Sequence, residues 1–203
     1  THGFRGKVVA KIIDKLLGKI DILITEGTTL SRVNECLVTE HELQGKFRDY
    51  IKDYKYVYVL CASTNLERIC GIAHIVPKGK YFICDRYESD LIDIIQEKWG
   101  EMSSLYRIPK LTVYGENLLT KFKDRGFVMM VRANRRIEKI IRQFDPSNGI
   151  IIYSMWDGYR TKPDSNIPGF LKLTGSWESL HTSGHASAAD ICMLIEKTQP
   201  DMI

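Results

Sequence analysis

Apolar and polar residues alternate along the chain with two different periods. Near-continuous apolar runs, rich in β-branched and aromatic residues, predict buried strands, and the segments between them place apolar residues at helical spacing. The predicted strands are residues 20–25, 54–61, 80–85, 126–132, 150–156 and 177–182. The predicted helices are residues 4–17, 39–53, 65–76, 88–99, 134–144 and 186–199.

Apolar strands that alternate with helices are typical of a parallel sheet covered on both faces. We therefore predict an α/β fold with a Rossmann-like, mostly parallel β-sheet and helices on both of its faces. Residues 157–176 interrupt the alternation, because two prolines and three glycines fall there, and they predict an irregular connection.

Composition narrows the class of protein. The 203 residues, 44% of them hydrophobic, are enough for one or two compact units with a substantial core. Five scattered cysteines without a CxxC pair indicate reduced thiols and a cytoplasmic location, and no apolar run is long enough to span a bilayer. The net charge of +4 is compatible with a polyanionic partner, although an ordinary lysine-rich surface explains it equally well.

Polar side chains follow several predicted strands, at the edge where α/β sheets place ligands. Glu26 comes directly after the first strand and is either a helix cap or the acid of a site. Ser63, Asn65 and Arg68 follow the second strand, where hydroxyl, amide and guanidinium groups suit phosphate binding. A plain N-cap with a solvated arginine is the alternative for these three residues. Trp156 closes a later strand and is suited to stack a base or to seal the rim of the core.

The segment SLHTSGHAS, residues 179–187, holds two histidines four residues apart between a predicted strand and a predicted helix. A strand–turn–helix corner exposes backbone N–H groups and favours an anion. An imidazole at such a corner is suited to acid–base work near neutral pH, which makes His185 a candidate general acid. The alternative is that His181 and His185 are structural.

These segments, in this order, resemble the metallo-β-lactamase-fold nucleases that carry a β-CASP insertion, a superfamily that includes ribonuclease J. HTSGHA is similar to the H-x-SGHA segment of ribonuclease J-like enzymes, whose second histidine, motif B, corresponds to His185. DILITEGT resembles motif A, whose acidic residue corresponds to Glu26. ASTNLER resembles a β-CASP strand-end segment of the T-x-SN-x-x-R kind.

The resemblance covers essentially the whole chain and implies three segments. Residues 1–34 would be a partial metallo-β-lactamase-fold segment that ends in motif A, and residues 35–160 the β-CASP domain. Residues 161–203 would return to the metallo-β-lactamase fold with motif B. The HxHxDH cluster and the other metal-ligand motifs of the family are missing from the sequence, so we expect a C-terminal piece of a larger enzyme.

The resemblance implies a zinc-dependent ribonuclease, with an exonuclease as one form of it. In the intact enzyme two zinc ions would activate a hydroxide that attacks a phosphodiester. His185 would protonate the leaving 3′ oxygen, and Glu26 would orient its imidazole. Five further residues would bind substrate: His181 and Ser183 at a phosphate, and Ser63, Asn65 and Arg68 along the RNA path.

For the chain itself we expect no zinc at the family site, no activity in isolation, and self-association through an exposed apolar face. The expected partner is RNA, with single-stranded DNA as the alternative, and no membrane is involved. Two other hypotheses stay open at this point. One is a catalytically silent module for nucleic-acid binding or assembly, and the other is a small-molecule metallohydrolase on the same fold.

Overall fold

The computed structural model of the protein divides the chain into two compact units. One unit is continuous, Glu42–His181, and the other combines Thr1–His41 with Thr182–Ile203. The described residues are 11–15, 18–28, 30 and 38–203. The second boundary differs from the predicted return at residue 161, because the strand that follows the irregular connection pairs with the central sheet and belongs to the continuous unit.

The continuous unit contains a six-stranded sheet in which every pairing is parallel. Its strands are β1 (Tyr56–Leu60), β2 (Tyr81–Cys84), β3 (Leu111–Val113), β4 (Phe127–Val131), β5 (Gly149–Tyr153) and β6 (Ser176–Ser179). They lie in the order β3-β2-β4-β1-β5-β6, so β1 sits between β4 and β5. The predicted α/β fold with a Rossmann-like parallel sheet is confirmed.

In the continuous unit, helices connect the strands and flank the sheet, and the last helix of the chain lies in the discontinuous unit. The α-helices are α1 (Glu40–Asp53), α2 (Leu66–Ala73), α3 (Arg86–Trp99), α4 (Leu119–Arg125), α5 (Arg135–Ile141), α6 (Ile167–Leu171) and α7 (Ala188–Thr198). Short 3₁₀ helices span Ser104–Tyr106, Glu116–Leu118, Pro146–Asn148 and Asp157–Tyr159. Of the predicted helix 4–17, residues 11–15 are helical and the others lie outside the described residues.

The core is built on the three central strands. Every residue of β1, β4 and β5 is buried, as the near-continuous apolar runs predict for strands covered on both faces. Tyr56, Phe127 and Phe144 form a mutual aromatic contact with ring centroids 4.9–5.2 Å apart. The edge strand β6 is mostly exposed, since one side of it lacks a neighbouring strand in the described sheet.

Two helices that follow strands of the sheet begin at a capping residue. The Asp85 side chain accepts a hydrogen bond from the Glu88 N–H at 2.9 Å and begins α3, and Asn134 accepts from the Ile137 N–H at 3.0 Å and begins α5. Each cap satisfies one of the N–H groups that a helix start leaves without a partner. The tight connections keep polar residues at the carboxyl edge of the sheet.

Two predictions of strand differ from the structure. Residues 20–25 form a single bridge between Ile22 and Met202 instead of a strand, and Ile24 is 93% exposed. The last strand ends at Ser179, before the histidines. Pattern analysis also missed β3 and α4, because three and seven residues are too few to establish a period.

The discontinuous unit is held by backbone pairing between residues near the two ends of the chain. The Leu23 N–H donates to the Met202 carbonyl at 2.9 Å, and the Ile20 N–H donates to the Thr198 carbonyl at 3.0 Å. Apolar side chains of this unit are exposed, namely Ile22, Ile24, Met202 and Ile203. We expected an exposed apolar face through which the chain self-associates, and self-association stays a prediction.

Among the described helices, none has the length and apolarity needed to cross a membrane.

Gly126 lies at the turn between α4 and β4, and its substitution tests whether the backbone there has room for a side chain. Its φ is +75°, and a Cβ there would lie well inside van der Waals contact with the Lys55 carbonyl oxygen. We predict that Gly126→Ala lowers the free energy of unfolding by more than about 2 kcal/mol, measured by urea titration. Gly45→Ala is the control, because Gly45 lies within α1 with open space around it, and it should gain roughly 0.5–1 kcal/mol. Equal stability of the two variants would contradict this account.

Candidate functional site

The side chains of Glu26 and His185 meet in the discontinuous unit, although 159 positions separate them in the sequence. Glu26 Oε2 contacts His185 Nδ1, and Glu26 Oε1 accepts a hydrogen bond from the Ala186 backbone N–H at 2.8 Å. Both side chains are partly open to solvent, with 36% of the glutamate and 50% of the histidine side chain exposed. The contact that the sequence analysis expected between these residues is present.

Electrostatics favour the ionised form of Glu26. The hydrogen bond from the Ala186 N–H lowers the pKa of Glu26; desolvation opposes this, and the His185 ring and the Thr28 hydroxyl add to the lowering. A glutamate whose pKa lies below its usual range is a carboxylate at neutral pH, and a carboxylate only accepts hydrogen bonds. Nδ1 of His185 therefore carries the proton in this contact, and Nε2 is the ring nitrogen that Glu26 leaves available.

The local sequence explains why His185 takes this place. Ser187 caps α7, and its side chain and the Asp190 side chain form a reciprocal capping box. The His185 backbone N–H donates to the Ser183 hydroxyl oxygen at 3.2 Å, which tightens the turn before the cap. The cap fixes the start of the helix and the turn fixes the backbone just before it, so His185 and Ala186 are presented together to Glu26.

The start of α7 is occupied by carboxylates of the chain. The Ser187 N–H donates to Asp190 Oδ2 at 3.3 Å, and the Ala186 N–H donates to Glu26. We expected backbone N–H groups at this corner, with Ser183, to hold a phosphate. In the structure two carboxylates accept hydrogen bonds from these N–H groups, and the assignment of His181 and Ser183 to a phosphate stays a prediction.

A second polar cluster lies within the continuous unit, around the buried guanidinium of Arg68. Only 2% of Arg68 is exposed. Its Nη1 donates to the carbonyl and the hydroxyl oxygen of Ser154, both at 3.2 Å, and contacts His181 Nδ1 at 3.3 Å. The Ser154 hydroxyl in turn donates to the Leu180 carbonyl at 2.6 Å. Arg68 thus ties α2 to the ends of β5 and β6.

The contact with Arg68 fixes the role of one ring nitrogen of His181. A guanidinium has donors and no acceptor, so Nδ1 of His181 must accept the hydrogen bond and be free of a proton. The neutral ring then carries its hydrogen on Nε2. This is the opposite tautomer to the one that Glu26 imposes on His185, and it makes His181 a neutral donor through Nε2.

Two of the three predicted RNA contacts after β1, Asn65 and Arg68, form hydrogen bonds within the protein. Asn65 accepts a hydrogen bond from the Arg68 backbone N–H at 3.4 Å and caps α2, as in the alternative that the sequence left open, but the Arg68 side chain is buried and not solvated. The Ser63 hydroxyl is buried near the Glu88 carboxyl. Burial raises the pKa of Glu88, while the Ser63 hydroxyl and the Arg132 charge oppose the rise. Arg68 and the Ser63 hydroxyl oxygen are buried and Asn65 is half-buried, and the assignment of these residues to an RNA path stays a prediction.

Ser154 is the site residue that the sequence analysis did not select. It directly follows the apolar run of β5, and a serine at that place has no distinctive sequence pattern. Its partners are far away in the sequence, since 86 positions separate it from Arg68. A residue of this kind is identified from three-dimensional contacts and not from spacing.

No group of three or more His, Cys, Asp or Glu side chains is arranged to hold a metal within the part of the chain that the structure describes. The zinc pair that the family resemblance implies is therefore not matched by donors among these residues.

The two histidines are predicted to show opposite neutral tautomers in long-range ¹H–¹⁵N NMR spectra recorded at alkaline pH. His185 should carry its hydrogen on Nδ1, and His181 on Nε2. In Glu26→Gln the amide nitrogen can donate to Nδ1 of His185, so this ring should change to the Nε2–H tautomer while His181 stays unchanged. The same tautomer for both rings in the unaltered protein would refute the assigned contacts.

Comparison with known proteins supports the fold and leaves the function open. No protein-family model matches the sequence, and no curated protein matches it. Among solved structures, a protein of unknown function from Enterococcus faecalis V583 matches with a TM-score of 0.68 at 16% sequence identity. The match covers 98% of this chain and 48% of that protein, so the chain spans about half its length. At this identity the likeness shows a shared α/β fold and nothing about activity.

Proposed function

We propose that the chain is part of a zinc-dependent phosphodiesterase that hydrolyses RNA, and that it supplies the general acid and not the metal site. The observation that carries the proposal is the contact of His185 with Glu26, whose carboxylate is itself held by the Ala186 N–H. The motif resemblance of HTSGHA and LITEGT selects the same two residues. A carboxylate that fixes an imidazole through one ring nitrogen is a recurrent arrangement for acid–base catalysis.

The proposed chemistry needs a proton at the leaving oxygen. Water adds to phosphorus, the bond from phosphorus to the 3′ oxygen breaks, and the departing alkoxide takes a proton. Protonated His185 gives this proton from Nε2 and becomes the neutral Nδ1–H tautomer, which stays hydrogen-bonded to Glu26. The proton lost by the attacking water returns through solvent to Nε2, so the step balances.

Glu26 contributes in two ways to this step. Its negative charge stabilises the imidazolium that exists before proton transfer, and its contact with Nδ1 keeps Nε2 as the nitrogen that exchanges protons. The Ala186 N–H holds the second carboxylate oxygen, which prevents rotation of the carboxylate away from the ring. The fixed geometry lowers the entropy lost when the ring acts on a substrate.

The proposed location is the cytoplasm, with RNA as the partner. Cys70 and Cys84 are free and buried, and Cys192 is free and exposed, while Cys36 lies outside the described residues. Burial raises the pKa of Cys70 to about 11 and that of Cys84 to about 12, so both remain unreactive thiols at neutral pH. Buried free thiols are compatible with a reducing compartment.

We predict that His185→Ala lowers the rate of RNA hydrolysis by the intact protein about 10²- to 10⁴-fold, because the leaving oxygen loses its proton donor. Glu26→Gln should cost roughly 10- to 100-fold, since the ring remains but the neutral amide favours the other tautomer and no longer accepts from Nδ1. The rates are measured under single-turnover conditions with a labelled single-stranded RNA. His74→Ala is the control, because His74 lies in the other unit and its Nε2 donates to the Leu105 carbonyl at 2.9 Å.

Two results would count against the proposal. Near-normal hydrolysis by His185→Ala would remove its role as the acid. An unaltered intact protein that binds RNA without cleaving it would favour the alternative of a silent nucleic-acid-binding module.

A further inference from the structure

Three large aromatic side chains lie exposed on the continuous unit, near the end of β5 and on β6. Trp156, Tyr159 and Trp177 are 46%, 48% and 38% exposed. The rings of Trp156 and Tyr159 meet edge to face with centroids 5.4 Å apart. We call these three residues the aromatic patch. Exposing so much aromatic surface is costly in water, and such patches commonly bind a partner.

The Trp156 ring is held in place before any partner binds. A Cβ at Gly158 would overlap three atoms of the six-membered ring of Trp156, so the ring lies directly against the glycine backbone. The Tyr153 hydroxyl donates to the Trp156 carbonyl at 2.7 Å, and the 3₁₀ helix that follows fixes the backbone on the other side. A ring seated in this way loses little conformational entropy when a second flat group stacks on it.

Two cations accompany the rings. Arg160 makes a two-pronged ion pair with Asp157, at 2.9 and 2.8 Å, and its guanidinium lies 5.2 Å from the centre of the Trp177 ring. The Lys162 ammonium lies 5.3 Å from the centre of the Tyr159 ring. Aromatic faces interleaved with cations are the surface chemistry of single-stranded nucleic-acid binding, in which rings stack bases and cations meet phosphates.

We propose that the aromatic patch stacks an unpaired base of a single-stranded RNA, with Trp156 as the stacking ring. The choice of RNA rests on the proposed function. The flanking charges make the patch a poorer match for an apolar protein surface, whereas they suit a strand that carries bases and phosphates together. A duplex does not offer this contact, because its bases already stack inside the helix.

The charges also set the salt dependence of the binding. The charge of Arg160 is balanced by Asp157, so Lys162 is left as the main phosphate contact within the patch. Stacking therefore supplies most of the affinity at this place. Loss of Trp156 should weaken binding by a similar factor at low and at high salt, since counterion release follows the number of phosphate contacts and not the stacked base.

The test measures fluorescence anisotropy of a labelled, unstructured RNA of about twelve nucleotides bound to the 203-residue chain. Trp156→Ala should raise the Kd at least about five-fold, which is the lower end for loss of one base–aromatic stack. Gly158→Ala should have a comparable effect by displacing the ring, and Trp156→Phe should recover most of the binding. Trp99→Ala is the matched control, because Trp99 is 48% exposed at the end of α3. The Kd of this variant for the RNA should equal that of the unaltered chain.

The proposal is overturned if Trp156→Ala and Trp99→Ala bind the RNA equally well while circular dichroism shows both variants to be folded. It is also overturned if a duplex of the same length competes as well as the single strand. These readouts are independent of hydrolysis. A failure of the proposed catalysis would not change the stacking result. A Kd that does not depend on Trp156 would not change the proposed role of His185.

Discussion

The hydrogen bond between the Ala186 backbone and Glu26 is the constraint on which the proposed chemistry depends. It holds the Glu26 carboxylate in place and lowers the pKa of Glu26, so that a negatively charged acceptor is available to His185. The capping box of α7 fixes the backbone that donates this hydrogen bond. Without the ordered helix start, the Ala186 N–H and the His185 ring would not be presented to the same carboxylate.

The two histidine side chains have different hydrogen-bond partners and therefore different chemical roles. Glu26 accepts from His185 and leaves Nε2 for proton exchange, whereas Arg68 donates to His181 and requires an unprotonated Nδ1. Two histidines four residues apart in the sequence are thus a candidate acid and a neutral hydrogen-bond donor, and neither pattern is that of a metal ligand pair. The difference arises from residues that lie more than a hundred positions away in each case.

Sequence periodicity predicted the central sheet well, because β1, β4 and β5 are buried throughout and need apolar residues at every position. The short edge strand β3 gave too little pattern to detect. For the sites, the pairing of Glu26 with His185 came from motif resemblance, since no local rule joins residues 159 positions apart. The residues after β1 show the limit of such reasoning: Asn65 and its neighbours suit phosphate binding and helix capping equally, and only the folded contacts decide between them.

A substrate with a better leaving group tests the central claim most directly. An RNA analogue whose scissile 3′ oxygen is replaced by sulfur releases a thiolate, which needs no proton from the enzyme. The account predicts that His185→Ala, which should lose about 10²- to 10⁴-fold on the natural linkage, cleaves the sulfur-linked analogue at close to the unaltered rate. An equal loss on both substrates would show that His185 does not act as the general acid.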